Sequence, residues 1–137
     1  MTIDEVSGMI VDAAMKVHTT LGPGLLESAY EVCLTHELRS RGLKVLSQLV
    51  LPISYEGLEL DAGYRLDLLV EDCVIVEVKA VESLNSIHQA QLLSYLKMGG
   101  KQVGLLINFN VHHLKNGIRR VVNNYQKPPR ASAPSAV

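Results

Sequence analysis

A mixed β-sheet flanked by helices, an α/β (α+β) arrangement, is the fold this sequence predicts, and three observations predict it. Apolar residues recur at three- and four-residue steps over residues 3–41 and again over 83–98, the spacing of helices that bury one face. Between those blocks the period changes to that of strands. The later helical block stands between two strand-like apolar runs, which marks it as a crossover; a meander of strands followed by a crossover gives a mixed sheet.

The first helix covers residues 3–20, with Ile3, Val6, Ile10, Ala13, Ala14, Val17 and Leu21 on its apolar face. Leu21-Gly22-Pro23-Gly24 breaks it. A second helix is expected from about Leu25 to Arg41, through Leu26, Ala29, Tyr30, Cys33, Leu34 and Leu38, with Gly42 placed to stop it. Residues 44–54 read as a strand in which Pro52 marks an edge or a bulge. Tyr55-Glu56-Gly57 turns the chain into a second extended stretch, Leu58 to Val70, with an interruption at Ala62-Gly63. Glu71-Asp72 is a tight polar turn into a strand from Cys73 to Lys79, buried on at least one face. Ser83 to Met98 is helical through Leu84, Ile87, Leu92, Tyr95 and Leu96, and Gly99-Gly100 ends it. Val103 to Phe109 is another buried strand, and residues 111–125 fit either a strand or a short helix. The order is α-α-β-β-β-α-β plus a short final element, one domain over residues 1–126. Residues 127–137, with Pro128, Pro129 and Pro134, lack the apolar content to fold and read as a disordered tail.

The totals agree with one domain: 137 residues, 47% apolar and 20% charged, are the make-up of a globular unit with a real core. No apolar run reaches the ~18 residues of a membrane span, and the acidic N-terminus, with Asp4 and Glu5, is unlike a secretory signal. Cys33 and Cys73 stand far apart and read as reduced, largely buried thiols, so the expected compartment is the cytoplasm. The net charge of −1 conceals an asymmetry, because all 14 acidic residues precede position 83 while Lys97, Lys101, Lys115, Arg119 and Arg120 follow it. A basic surface attracts phosphates and an acidic cluster attracts divalent cations, unless the fold interleaves the two halves. With one Phe and no Trp, extensive base stacking is not expected.

Glu77 and Lys79 are two apart on a predicted strand, so both project to one face while Val76 and Val78 take the other. An exposed ion pair would explain them alone. Asp67, on the preceding strand and joined through the Glu71-Asp72 turn, becomes a plausible cross-strand neighbour of Glu77. Two carboxylates held together repel, and a shared cation relieves them; Mg²⁺ takes one or two carboxylates plus waters and phosphate oxygens. Lys79 beside it can orient a water or stabilise charge on a phosphate. Other spacings mark helix faces: Glu27 with Tyr30, and His88, Gln91 and Tyr95 at i, i+3 and i+7. For Tyr30 and Tyr95 the alternative is core packing with the hydroxyl paired, and for Glu27 a first-turn carboxylate favoured by the helix dipole. Arg65, two before Asp67, could pair with a carboxylate or touch a nucleic-acid backbone.

Asp67 followed by Glu77-Val78-Lys79 resembles the D…ExK core of the PD-(D/E)XK nucleases, with Leu66 where the superfamily's name has proline. Gly24-Leu25-Leu26-Glu27-Ser28-Ala29-Tyr30 resembles the motif that names the GxxExxY protein family, a branch of that superfamily. Gly63 to Asp67 and His88 to Tyr95 are similar to further blocks of the same family, so the resemblance covers roughly residues 3–124. It implies a restriction-endonuclease-like fold, a mixed central sheet with helices on both sides, and metal-dependent cleavage of phosphodiester bonds in nucleic acid, expected to be DNA. It also implies roles. Asp67, Glu77, Glu27 and the main-chain carbonyl of Val78 correspond to ligands of Mg²⁺ or Mn²⁺, and Lys79 to the catalytic lysine. Gln91, Tyr95, Tyr30, Arg65 and His88 correspond to residues that position substrate. Lys97, Lys101, Arg119 and Arg120 are the expected contacts to the nucleic-acid backbone. The alternatives are a catalytically silent nucleic-acid- or protein-binding module on this fold, or a different enzyme on it. A homo-oligomer or a larger complex is compatible with each.

Overall fold

The computed structural model describes residues 1–60 and 63–126; the predicted tail at 127–137 and Ala62 lie outside them. Helix α1 spans Ile3–Leu21 and is fixed at its start by a capping box, in which Thr2 accepts from the Glu5 amide and Glu5 accepts from the Thr2 amide. Val6, Ile10, Ala13, Ala14 and Val17 are buried, as the spacing predicts. Helix α2 spans Glu27–Ser40, shorter at its start than the apolar spacing suggests. Leu26 is an extended N-cap residue, 78% exposed. The reason lies in the turn before it: the Tyr30 hydroxyl donates to the Gly22 carbonyl at 2.6 Å and accepts from the Leu25 amide at 3.0 Å. That contact holds Leu25 and Leu26 in the connection. Gly42, at φ +85°, follows the helix in the left-handed conformation that glycine tolerates.

Pro52 divides the first predicted strand. Strand β1 is Val45–Val50, and beyond Pro52 a separate ribbon forms from β2 (Ile53–Tyr55) and β3 (Leu58–Leu60). Strands β4 (Arg65–Val70) and β5 (Val74–Lys79) make an antiparallel hairpin. Helix α3 (Ser86–Gly99), capped by Asn85, crosses to β6 (Val103–Asn108), which lies parallel to β5. The ambiguous stretch holds both alternatives: a 3-10 helix over Leu114–Gly117, then β7 over Ile118–Val122, antiparallel to β6. Gly117 is required there, since a Cβ would collide with the Asn108 carbonyl oxygen.

The five-stranded sheet runs β1-β4-β5-β6-β7 and is mixed, because only β5 and β6 are parallel. Its two faces are covered separately, giving the predicted fold with helices on both sides. On one, α1 and α2 pack against Leu68, Val70, Val74, Val76, Val78, Val103, Leu105 and Ile107, with Tyr30 stacked on Phe109 at 4.7 Å. On the other, Leu92, Tyr95 and Leu96 of α3 cover Leu66, Leu69, Ile75 and Leu106. Among the described residues no helix is long and apolar enough to cross a membrane, and Cys33 and Cys73 are free.

Candidate active site where two strands part

Strands β4 and β5 pair through Val70↔Val74, Leu69↔Ile75 and Leu68↔Val76, and there the ladder stops. Continuing the register would set Asp67 opposite Glu77, the neighbours that the hairpin arithmetic predicts. Instead of main-chain bonds, a carboxylate from each strand accepts from an amide of the other. Glu77 Oε2 accepts from the Asp67 amide at 3.0 Å, and Asp67 Oδ2 accepts from the Val78 amide at 2.8 Å. The carboxylates thus enter the gap as the strands separate. A strand residue's carbonyl leaves on the same side as its amide, so the Val78 carbonyl also faces this opening.

Glu77 is 5% exposed and lies on the face covered by α3, as do Ile75 and Lys79, while Val74, Val76 and Val78 serve the other layer. Burial, and then the charge on Asp67, push the Glu77 carboxyl up to about 8. Lys79 opposes that rise through its charge. The Lys79 main chain is held where its carbonyl accepts from the Phe109 amide at 2.9 Å. The buried Asn108, paired with Lys79 in register, bonds both the amide and the carbonyl of Val81. The end of β5 is therefore fixed from both neighbours.

From α2 the residue that reaches the pair is Glu31, which the sequence reading does not single out. Burial raises its carboxyl, with the charges of Asp67 and Glu27 adding to the rise and a hydrogen bond from Gln48 opposing it. Glu27 stands one turn earlier, exposed at the helix start, and acts on Glu31 through charge. Gln48 is also new: its Nε2 donates to Glu31 Oε2 at 2.8 Å and to Asp67 Oδ1 at 3.3 Å. The signal for Glu31 was present as Glu27 plus four on one helix face; Gln48 carried none.

The α3 residues divide. Tyr95 is buried with its hydroxyl in contact with Gln91, and burial followed by the Glu77 charge raises it. Tyr64, half exposed, sets its ring edge-on to Tyr95 at 6.4 Å. His88 belongs to the helix cap, its Nδ1 accepting from the Asn85 amide at 3.1 Å. Tyr30 is engaged at the Gly22–Leu25 turn and on Phe109, within the opposite layer. Arg65 is exposed at the start of β4.

The four basic residues do not form one surface. Lys101 pairs with Asp72 at 3.2 Å beside the β4–β5 turn, the end of the sheet away from Glu77, and Lys97 lies in the last turn of α3 near it. Arg120 pairs with Asp4 of α1 at 2.9 Å, on the face opposite Glu77. Arg119 is paired in register with Leu106, which pairs with Glu77, and shares with Val121 the face that α3 covers. The fold interleaves the acidic and basic halves of the chain.

As a donor set, two buried-to-half-buried carboxylates and a carbonyl at an opening suit a hard divalent cation. Among the described residues no group of three or more His, Cys, Asp or Glu side chains is arranged to cage an ion. A pair of carboxylates completed by water and phosphate is the mode Mg²⁺ favours.

An α+β domain with two acids and a lysine at the parting of its central strands is the arrangement that fold and site define together. A family model for the PD-(D/E)XK nuclease superfamily matches residues 4–121, and the chain belongs to that superfamily. No curated protein and no solved structure matches it.

Proposed function

We propose that the chain is a cytoplasmic Mg²⁺- or Mn²⁺-dependent nuclease of the GxxExxY branch, with residues 1–126 as its single catalytic domain and DNA as substrate. The observation that carries this reading is the crossing of the Asp67 and Glu77 carboxylates over the parted strands, Glu77 onto the Asp67 amide and Asp67 onto the Val78 amide, with Lys79 on the Glu77 face. Asp67, Glu77 and the Val78 carbonyl hold the ion, with Glu27 and Glu31 adding negative charge from α2. When bound, the ion supplies an activated water and neutralises charge on the scissile phosphate.

The chain's own residues do the rest. The Lys79 ammonium orients the attacking water and stabilises the charge that develops on phosphate oxygens. Tyr95, held by Gln91, walls the site on the α3 side, and Arg65 meets the phosphate chain beside Asp67. Arg119 is the basic residue best placed to follow the backbone on the Glu77 face. Lys97 and Lys101 would meet phosphates several nucleotides away, since a six-residue strand is about 20 Å long.

The test is cleavage of linear and circular, single- and double-stranded DNA and of RNA in Mg²⁺, Mn²⁺ or EDTA. The metal-dependent product of the wild type should fall at least about a hundredfold in Lys79→Ala, with Mn²⁺ binding retained. Unchanged turnover in Lys79→Ala removes that residue from the mechanism. Mn²⁺ binding without cleavage of any substrate favours a silent binding module.

A further inference from the structure

Gln48 lies in β1 directly opposite Asp67, bracketed by the registered pairs Ser47↔Leu68 and Leu49↔Leu66. Its own pairing is missing from the ladder. The backbone there has φ +53°, a left-handed conformation that costs a residue with a Cβ on the order of 1 kcal/mol and persists only where the surroundings enforce it. A polar side chain in an otherwise ordinary edge strand has no local reason to adopt it.

The side chain supplies the reason. Nε2 donates to Glu31 Oε1 at 3.0 Å, to Glu31 Oε2 at 2.8 Å and to Asp67 Oδ1 at 3.3 Å. The opposite orientation of the amide would aim its oxygen at these carboxylate oxygens, so the network assigns the nitrogen to this side. A neutral donor thus bridges two carboxylates that also touch each other directly. The Asp67 carboxylate is pinned at both oxygens, Oδ1 by Gln48 and Oδ2 by the Val78 amide.

We propose that Gln48 is a positioning residue: its amide locks Asp67 and Glu31 into one unit, and this lock sets how tightly the site takes up a divalent cation. The left-handed backbone at position 48 is what aims the amide at both carboxylates. This rests on Asp67 and Glu77 being the cation-binding pair. Groups that orient metal ligands typically change affinity by about 10–100-fold when removed.

Two substitutions separate the backbone from the amide. Gln48→Gly removes the amide and relieves the left-handed strain; Gln48→Ala removes the amide and keeps it. Wild type, both variants and Asp67→Asn are titrated with Mn²⁺ by calorimetry and melted without metal. Both Gln48 variants should bind Mn²⁺ at least about tenfold more weakly than wild type, while Gln48→Gly melts above Gln48→Ala. A role in folding alone would separate the melting temperatures and leave affinity unchanged. If Asp67→Asn loses Mn²⁺ and both Gln48 variants bind as wild type does, the inference is overturned and the acid pair stands. If Asp67→Asn binds Mn²⁺ like wild type, the acid-pair reading fails and the inference falls with it.

Discussion

The two faces of the sheet are made from the same strands and do different work. On β5, Val74, Val76 and Val78 enter the larger layer under α1 and α2, while Ile75, Glu77 and Lys79 enter the smaller layer under α3. The first layer is apolar along the whole strand. The second begins apolar at Ile75 and ends in a buried acid and a cation. Strand alternation lets one six-residue segment anchor the fold with every second residue and set an acid and a cation among the others. Burial at the site end works against charge, and apolar packing on the opposite face offsets that cost.

The largest effects should come from breaking each layer at neighbouring positions of β6. Leu105→Ala hollows the larger layer and Leu106→Ala the smaller, and each should cost about 2–5 kcal/mol in urea unfolding. Leu105→Ala should be the more damaging, because the buried cluster it opens is the larger of the two. Equal costs would mean the layers contribute alike.

Next in size is the charge at the end of the smaller layer. The Glu77 carboxyl is pushed up to about 8, so the folded state keeps a proton that the unfolded chain has released. Without metal, the Glu77 contribution to stability should be fully present below the ordinary carboxylate range and be lost, by a few kcal/mol, as pH rises to about 8. Glu5 and Glu37, whose carboxyls are held low, lose theirs only in acid. Glu77→Gln should flatten that slope and melt higher at pH 8, since an amide oxygen still accepts from the Asp67 amide. A wild-type melting temperature that climbs between pH 5 and 8 would contradict the buried-charge reading.

The smallest effect belongs to the rim. The Arg120–Asp4 pair is half exposed, and Arg120→Ala should cost roughly 0.2–1 kcal/mol in thermal unfolding. Because Arg120 is on the face away from Glu77, the same change should leave DNA binding nearly as it was, whereas Arg119→Ala weakens it. A larger loss from Arg120→Ala in a binding titration would put the nucleic acid on the other face.

Asp67, Glu77 and Lys79 were legible because their relation is local: period two along a strand and a short turn between strands. The break at Pro52 was half legible, as a bulge rather than as a separate ribbon, because nothing local says that β2 and β3 leave the sheet. Glu31 was missed because its place depends on how α2 rotates against the sheet. Gln48 was missed because its conformation is imposed by partners on α2 and β4, distant in sequence. The basic residues misled as a sum over half a chain, since the pleat of β7 sends Arg119 and Arg120 to opposite faces and Lys101 stands at the far end of the sheet, beside Asp72.

An open sheet has two unpaired margins, and each invites a foreign strand to add itself and propagate aggregation. Here β1 and β7 are those margins. The left-handed residue at Gln48 spoils the even spacing of amides and carbonyls along β1, and Pro52 ends it. On β7, Arg119 and Arg120 put one cation on each side of the ribbon, so an added chain would have to bury charge whichever way it approached. The distortion that reaches Asp67 from β1 thereby also makes that margin a poorer template for a foreign strand.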